Sequence, residues 1–195
     1  MTIGVLALQG DFDLHRKALD RLGLESVEVK LPRQLEQVAG LIMPGGESTT
    51  LLKLLDEWDF VPALEKFHAA GKPIFGTCAG LILLARSVSG PEQRSLGLLD
   101  AEVERNGYGR QIDSFETDLS WTEDGGAIRG VFIRAPRIRR VGPGVRVLAE
   151  RDGEPVLVRN GRVLAATFHP ELTEDTRVHR YFIEEMAGAP PTSGK

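Results

Sequence analysis

Pro73-Ile74-Phe75-Gly76-Thr77-Cys78-Ala79-Gly80, continuing into Leu81-Ile82-Leu83-Leu84-Ala85, is the stretch that decides the fold. Its apolar opening has strand character, its end from Ala79 to Ala85 has helical character, and the single cysteine of the chain sits at the corner between them. A strand running through a sharp turn into a helix is the geometry of a nucleophile elbow. Glycines two residues on either side of the nucleophile let the backbones pass closely while the side chain is held strained and exposed, the G-x-S-x-G logic with sulfur in place of oxygen. A helix N-terminus behind Cys78 favours the thiolate over the thiol. A lone cysteine without such flanks is most often a small buried hydrophobe, so Gly76 and Gly80 carry the functional reading.

Upstream, short apolar runs alternate with helical patterns. Ile3 to Leu8, Ser26 to Val29 and Gly40 to Met43 are strand candidates, and Asp11 to Leu22, Ser48 to Trp58 and Val61 to Ala70 are helix candidates. That alternation predicts a parallel sheet with helices on both faces. From Ala101 onward the pattern changes to closely spaced strands near Ala127 to Ile133, Val145 to Glu150, Pro155 to Arg159 and Val163 to Phe168. Asp152-Gly153 and Asn160-Gly161 between them are hairpin signals. A last helix is expected from Glu174 to Met186, and the tail after it, AGAPPTSGK, is too rich in Pro, Gly and Ser to pack. No repeat or break in composition divides the chain. The expectation is one α/β domain over residues 1–187, its parallel sheet extended by antiparallel strands, with a disordered tail over 188–195.

With 195 residues, 42% of them hydrophobic, the chain is long enough to bury a continuous core. A net charge of −4 argues against a nucleic-acid-binding face, which needs a basic surface to displace counterions. No window approaches the ~20 apolar residues that cross a bilayer. One cysteine allows no internal disulfide, and MTIGVLALQGDF has none of the features of a signal peptide, so a cytoplasmic location is expected.

A cysteine nucleophile needs a base. Of His15, His68, His169 and His179, only His169 follows a strand in a rigid setting. In Phe168-His169-Pro170-Glu171 the proline disfavours helical backbone at His169, so residues 169 and 171 are expected to project to one side, Glu171 holding one imidazole nitrogen while the other faces the thiol. Nucleophile, base and orienting carboxylate make a triad, although a surface His-Glu pair at a strand end is a competing reading. The other three histidines lie in helical patterns without ligand spacing, and no metal site is expected. Leu41-Ile42-Met43-Pro44-Gly45-Gly46-Glu47-Ser48-Thr49-Thr50 is a buried strand ending in a Gly-Gly turn, whose backbone N–H groups can hold an oxyanion or a carboxylate. It lacks the lysine of a phosphate loop, and Ser48 is the expected N-cap of the next helix. Arginines 129, 134, 137, 139, 140 and 146 form a basic stretch suited to a solvated or docking face, or to holding a substrate carboxylate.

With G-T-C-A-G around Cys78, H-P-E at 169–171 and P-G-G-E-S-T-T from Pro44, the sequence resembles the class I, triad-type glutamine amidotransferases. Within them it is similar to the glutaminase subunits of pyridoxal 5'-phosphate synthase, through L-A-L-Q-G-D-F, L-I-M-P-G-G-E-S-T-T, F-G-T-C-A-G-L-I-L-L-A, R-N-G-Y-G-R-Q-I-D-S-F and T-F-H-P-E-L, blocks that span nearly the whole chain. The resemblance implies a flavodoxin-like three-layer sandwich and hydrolysis of L-glutamine through a thioester on Cys78, without a cofactor. It implies His169 as base and Glu171 as its orienting partner. It carries over the N–H of Ala79 and the Gly45-Gly46 backbone as the oxyanion hole, and Gly46, Glu47, Ser48, Arg105, Ile133 and Arg134 as glutamine contacts. A TIM-barrel synthase subunit that receives the ammonia is the implied partner, and weak activity of the isolated chain is expected because a Gly-Gly peptide reorients at modest cost. Two alternatives stay open at this point. One is the related glutaminase of imidazole glycerol phosphate synthase, which shares the elbow and H-P-E; the other is a redox-sensing or binding module that oxidises Cys78 and has no use for His169 or Glu171.

Overall fold

The computed structural model describes residues 1–108, 114–123 and 125–188. The expected tail therefore lies, from residue 189 onward, outside the described residues. The first half follows the predicted alternation: β1 (Ile3–Leu6), α1 (Phe12–Arg21), β2 (Ser26–Val29), β3 (Gly40–Met43), α2 (Ser48–Glu57), α3 (Phe60–Ala69), β4 (Ile74–Thr77) and α4 (Ala79–Leu84). The second half holds β5 (Ala85–Ser89), β6 (Leu99–Glu104), β7 (Ser114–Trp121), β8 (Ala127–Ile133), β9 (Arg137–Val141), β10 (Arg146–Arg151), β11 (Glu154–Asn160), β12 (Val163–Ala166) and α5 (Arg177–Tyr181).

The main sheet runs in the order β2-β1-β3-β4-β12-β11-β10-β7-β8. Its first five strands are mutually parallel, and the remaining four join antiparallel. This is the α/β class expected, a mostly parallel centre extended by antiparallel strands. Helices cover both faces. Side chains alternate along a strand, so Ile74 of β4 packs with Leu51 and Leu55 of α2, Leu64 of α3 and Leu81 of α4, while its neighbour Phe75 packs on the other side with Leu19 of α1, Val178 and Tyr181 of α5, and Phe182. Three layers result.

Four features depart from the expectation, the first being β7, a strand of the main sheet that none of the expected segments covers. Beside the main sheet a second, three-stranded sheet, β5-β6-β9, is present, with β5 and β6 parallel and β9 antiparallel to β6. Its strands carry alternating charges, and the arginines of β9 are paired to acids on neighbouring strands: Arg139 to Glu104, Arg140 to Glu102 and Arg137 to Glu154. Much of the basic stretch is thus neutralised by cross-strand partners. The expected last helix is shorter: α5 ends at Tyr181 and passes into a π-helical turn over Phe182–Ala187. The N-cap of α2 is Glu47 rather than Ser48, its carboxylate accepting from the backbone N–H groups of Thr49 at 3.0 Å and Thr50 at 2.6 Å.

Candidate active site

The corner between β4 and α4 is as tight as the glycine spacing demands. Cys78 has φ 48° and ψ −101°, a conformation that an L-residue holds only when its surroundings impose it. A side-chain carbon on Gly80 would stand 2.2 Å from the Met43 carbonyl oxygen, and one on Gly76 would stand 2.7 Å from the Gly80 backbone. These contacts lock strand, turn and helix against β3. The Cys78 amide donates to the Ala166 carbonyl at 2.9 Å, tying the elbow to β12.

His169 enters from the other side. It follows β12, and its amide donates to the Val131 carbonyl of β8 at 2.8 Å. Because β4 and β12 are adjacent and parallel, residues 78 and 169 leave the same edge of the sheet together. The imidazole and the Cys78 side chain line the same cavity, and the ring's Nδ1 lies 2.8 Å from Glu171 Oε1, which leaves Nε2 for the sulfur. Pro170 begins a 3₁₀ turn, Pro170–Leu172, so the carboxylate reaches the ring by chain reversal and not by the strand-like alternation expected. Proline fixes φ near the value such a turn needs and has no N–H to leave unpaired.

All three groups are buried. Burial opposes a charge on His169, but the neighbouring Cys78 and Glu171 side chains outweigh it and raise its pKa to about 10. Burial likewise opposes the Glu171 anion; the imidazoles of His15 and His169 more than offset it and hold the carboxyl down to about 2. The pair is thus built to carry an imidazolium against a carboxylate. Among the described residues no group of three or more His, Cys, Asp or Glu side chains is gathered as a metal site would need.

Cys78 and His169 open into a cavity of about 360 Å³ that is also lined by Gly46, Glu47, Ser48, Arg105, Ile133 and Arg134. The sequence-predicted contacts therefore meet at one place with Cys78 and His169, although together these residues come from five separate segments. Arg105 Nη2 lies 3.5 Å from Glu47 Oε1 and 3.3 Å from Thr49 Oγ1. Arg134 has φ 42°, a second left-handed backbone at the rim. Gly45 is not in the cavity wall but packs against two residues that are, for a side-chain carbon there would come within 2.5 Å of His169 Cε1 and 3.4 Å of Cys78 Cβ. Ala79 is fully buried as the first residue of α4, a position whose N–H has no partner within its own helix.

Four further lining residues, Gln9, Asp11, Ile82 and Asn106, are not among the contacts expected from the sequence. Gln9 is the most intimate of them, its Oε1 accepting from the Glu47 amide at 3.0 Å. Nothing local to Gln9 announces this, since the loop after β1 meets the loop after β3 only through the parallel pairing of the two strands.

The chain matches, over residues 5–188, the model of the SNO glutamine amidotransferase family. It is 59% identical over 184 residues to the pyridoxal 5'-phosphate synthase subunit PdxT of Koribacter versatilis, covering 94% of this chain and 95% of that one. It is 57% identical to the protein of the same name from Thermus thermophilus, covering 95% and 97%. A crystal structure described as a glutamine amidotransferase superposes with TM-score 0.90 at 55% identity over 96% of this chain and 99% of that chain. The structure of PurLQS from Thermotoga maritima, 21% identical, shares the fold at TM-score 0.69 over 98% of this chain and 92% of that chain. Elbow, H-P-E turn and Gly-Gly loop thus stand in a chain that belongs to the SNO glutamine amidotransferase family.

Proposed function

We propose that this chain hydrolyses the side-chain amide of L-glutamine to glutamate and ammonia through a thioester on Cys78, and delivers the ammonia to a TIM-barrel synthase subunit that makes pyridoxal 5'-phosphate. The observation that carries the reading is the meeting of the strained Cys78, the His169–Glu171 pair and the Gly46-Glu47-Ser48 loop around one cavity. The high identity to PdxT proteins over nearly the full length supports the partner and the pathway, and favours them over the imidazole glycerol phosphate alternative. A redox module would have no need of the buried His169–Glu171 pair.

In the proposed mechanism His169 Nε2 takes the Cys78 proton, and the sulfur attacks the amide carbon. The oxygen develops negative charge facing the Ala79 N–H and the Gly45-Gly46 backbone, donors worth about 3 kcal/mol each in related chemistry. The imidazolium returns its proton to the departing nitrogen, and ammonia leaves. His169 then takes a proton from water, which attacks the thioester, and glutamate is released with the thiol restored. Glu171 keeps the imidazole in one orientation and stabilises its charge throughout. Anionic Glu47 beside Arg105 and Arg134 suits the two opposite charges of a free amino acid. The lone cysteine and the acidic net charge fit a cytoplasmic enzyme without a nucleic-acid partner, and among the described residues no helix is long and apolar enough to cross a membrane.

The test is ammonia release from glutamine with and without a pyridoxal 5'-phosphate synthase subunit. Release that rises several-fold when that subunit is present is expected. A folded chain with reduced Cys78 that releases none in either condition overturns the function.

A further inference from the structure

Behind the triad lies a buried cluster that the proposed mechanism leaves unused. His15 of α1 and His179 of α5 are both fully buried, with His15 Nδ1 2.9 Å from His179 Nε2. The other nitrogen of His15, Nε2, lies 3.2 Å from the hydroxyl of Thr77, the residue before the nucleophile, and 3.5 Å from Glu171 Oε2. That carboxylate oxygen is buried and no hydrogen bond reaches it; His15 Nε2, at 3.5 Å, is the imidazole nitrogen that faces it.

Where the protons sit follows from the neighbours. A buried carboxylate needs a donor toward each oxygen, and an unmet one costs about 1–3 kcal/mol. His169 serves Oε1, so only a proton on His15 Nε2 turns a donor toward Oε2. A neutral His15 with that proton has a bare Nδ1, which accepts from the Nε2–H of His179. The Nδ1 of His179 is then a lone pair, and this is the atom found buried without a partner. The opposite tautomers would set a lone pair of His15 against the carboxylate and bury an unpaired N–H on His179. Burial disfavours a charge on both rings: it lowers the pKa of His15 and, together with the neighbouring His15, lowers that of His179 to about 3.

We propose that His15 is a positioning residue for the reaction: held in the Nε2–H tautomer by His179, it anchors the far oxygen of Glu171 and the Thr77 hydroxyl, so that the near oxygen stays aimed at His169. The inference rests on the reading of Cys78, His169 and Glu171 as the reacting triad. It makes α1 and α5, which contribute nothing to the cavity wall, part of what orients the base.

The experiment has two arms. In the complex with the synthase subunit, His15→Leu is expected to lower kcat for ammonia release about 10- to 100-fold, by analogy with the loss on removing the outer hydrogen-bond partner of a metal-bound histidine, with KM changed less than about threefold. His15→Gln, whose side-chain amide puts an N–H near the original Nε2, is expected to recover most of that loss. Equal losses in both variants, in step with their melting temperatures, would mean a packing role only and would overturn the proposal. In the unmodified chain, long-range nitrogen–proton correlation of labelled histidines should place the ring proton on Nε2 in both His15 and His179; a proton on Nδ1 of His15 overturns the proposal even where the variants do not fold. Cys78→Ala, run alongside, separates the two readings: retained turnover there would sink the triad, while the histidine spectra would still report on the tautomers.

Discussion

At Cys78, His169 and Glu171, geometry and charge make separable predictions. Cys78→Ala and His169→Asn should each lower ammonia release by about 10³-fold or more, the scale on which triad members act as a unit, while circular dichroism stays near that of the parent. Stability should carry the charge signature. The carboxyl of Glu171 is depressed from 4.5 to about 2, so its contribution is full above pH 4.5 and is lost as pH falls toward 2. His169 is raised from 6.5 to about 10, so its contribution is full below pH 6.5 and is lost as pH rises toward 10. Melting curves of the parent against Glu171→Gln and His169→Asn should show the lead over the first shrinking on the acid side and the lead over the second on the alkaline side. A lead that shrinks on the wrong side would contradict the charge assignment. Cys78, His169 and Glu171 are legible in the sequence because proline and glycine, which restrict or free the backbone, flank them. His15 is not, because a histidine inside a helical pattern looks the same whether it faces solvent, core or a carboxylate.

The elbow is the element on which the site depends, and its tolerance is set by backbone and not by side-chain volume. Gly80→Ala would drive a methyl carbon into the Met43 carbonyl oxygen, at 2.2 Å before relaxation. We expect a loss of about 3 kcal/mol in denaturant unfolding, the upper end for overpacking. An unchanged midpoint would mean that β3 and α4 are free to separate. The strands of the parallel half are legible because each is a short apolar run closed by turn residues. β5, β7 and β9 are not, since their polar and charged residues leave no sustained apolar period; β6 does alternate apolar and charged residues from Leu99 to Glu104, a strand signal that none of the expected segments covers. The last helix is shorter than its pattern suggests for a related reason: Phe182, Ile183 and Met186 are all buried, and their spacing suits an α-helix as well as the π turn that they form.

For the molecule as a whole, the class of fold follows from one observation, that the sequence switches from strand-helix alternation to hairpins; that both parts share one sheet is expected from this, but the β4–β12 pairing that joins them is invisible there, because it links segments far apart in the chain. That pairing brings Cys78 to His169 and leaves their cavity open at one edge of the sheet. Arg105, bridging to Glu47 and Thr49 at this edge, should affect substrate binding more than chemistry. Arg105→Lys, which keeps the charge but not the planar fork, is expected to raise KM for glutamine about tenfold with kcat within about threefold in steady-state assays of the complex. The most direct measurement of the central claim is mass spectrometry of the complex quenched in acid during glutamine turnover. A glutamyl adduct confined to the peptide that contains Cys78 is the predicted result; ammonia release at full rate with that peptide unmodified, or from a Cys78→Ala chain, would contradict it.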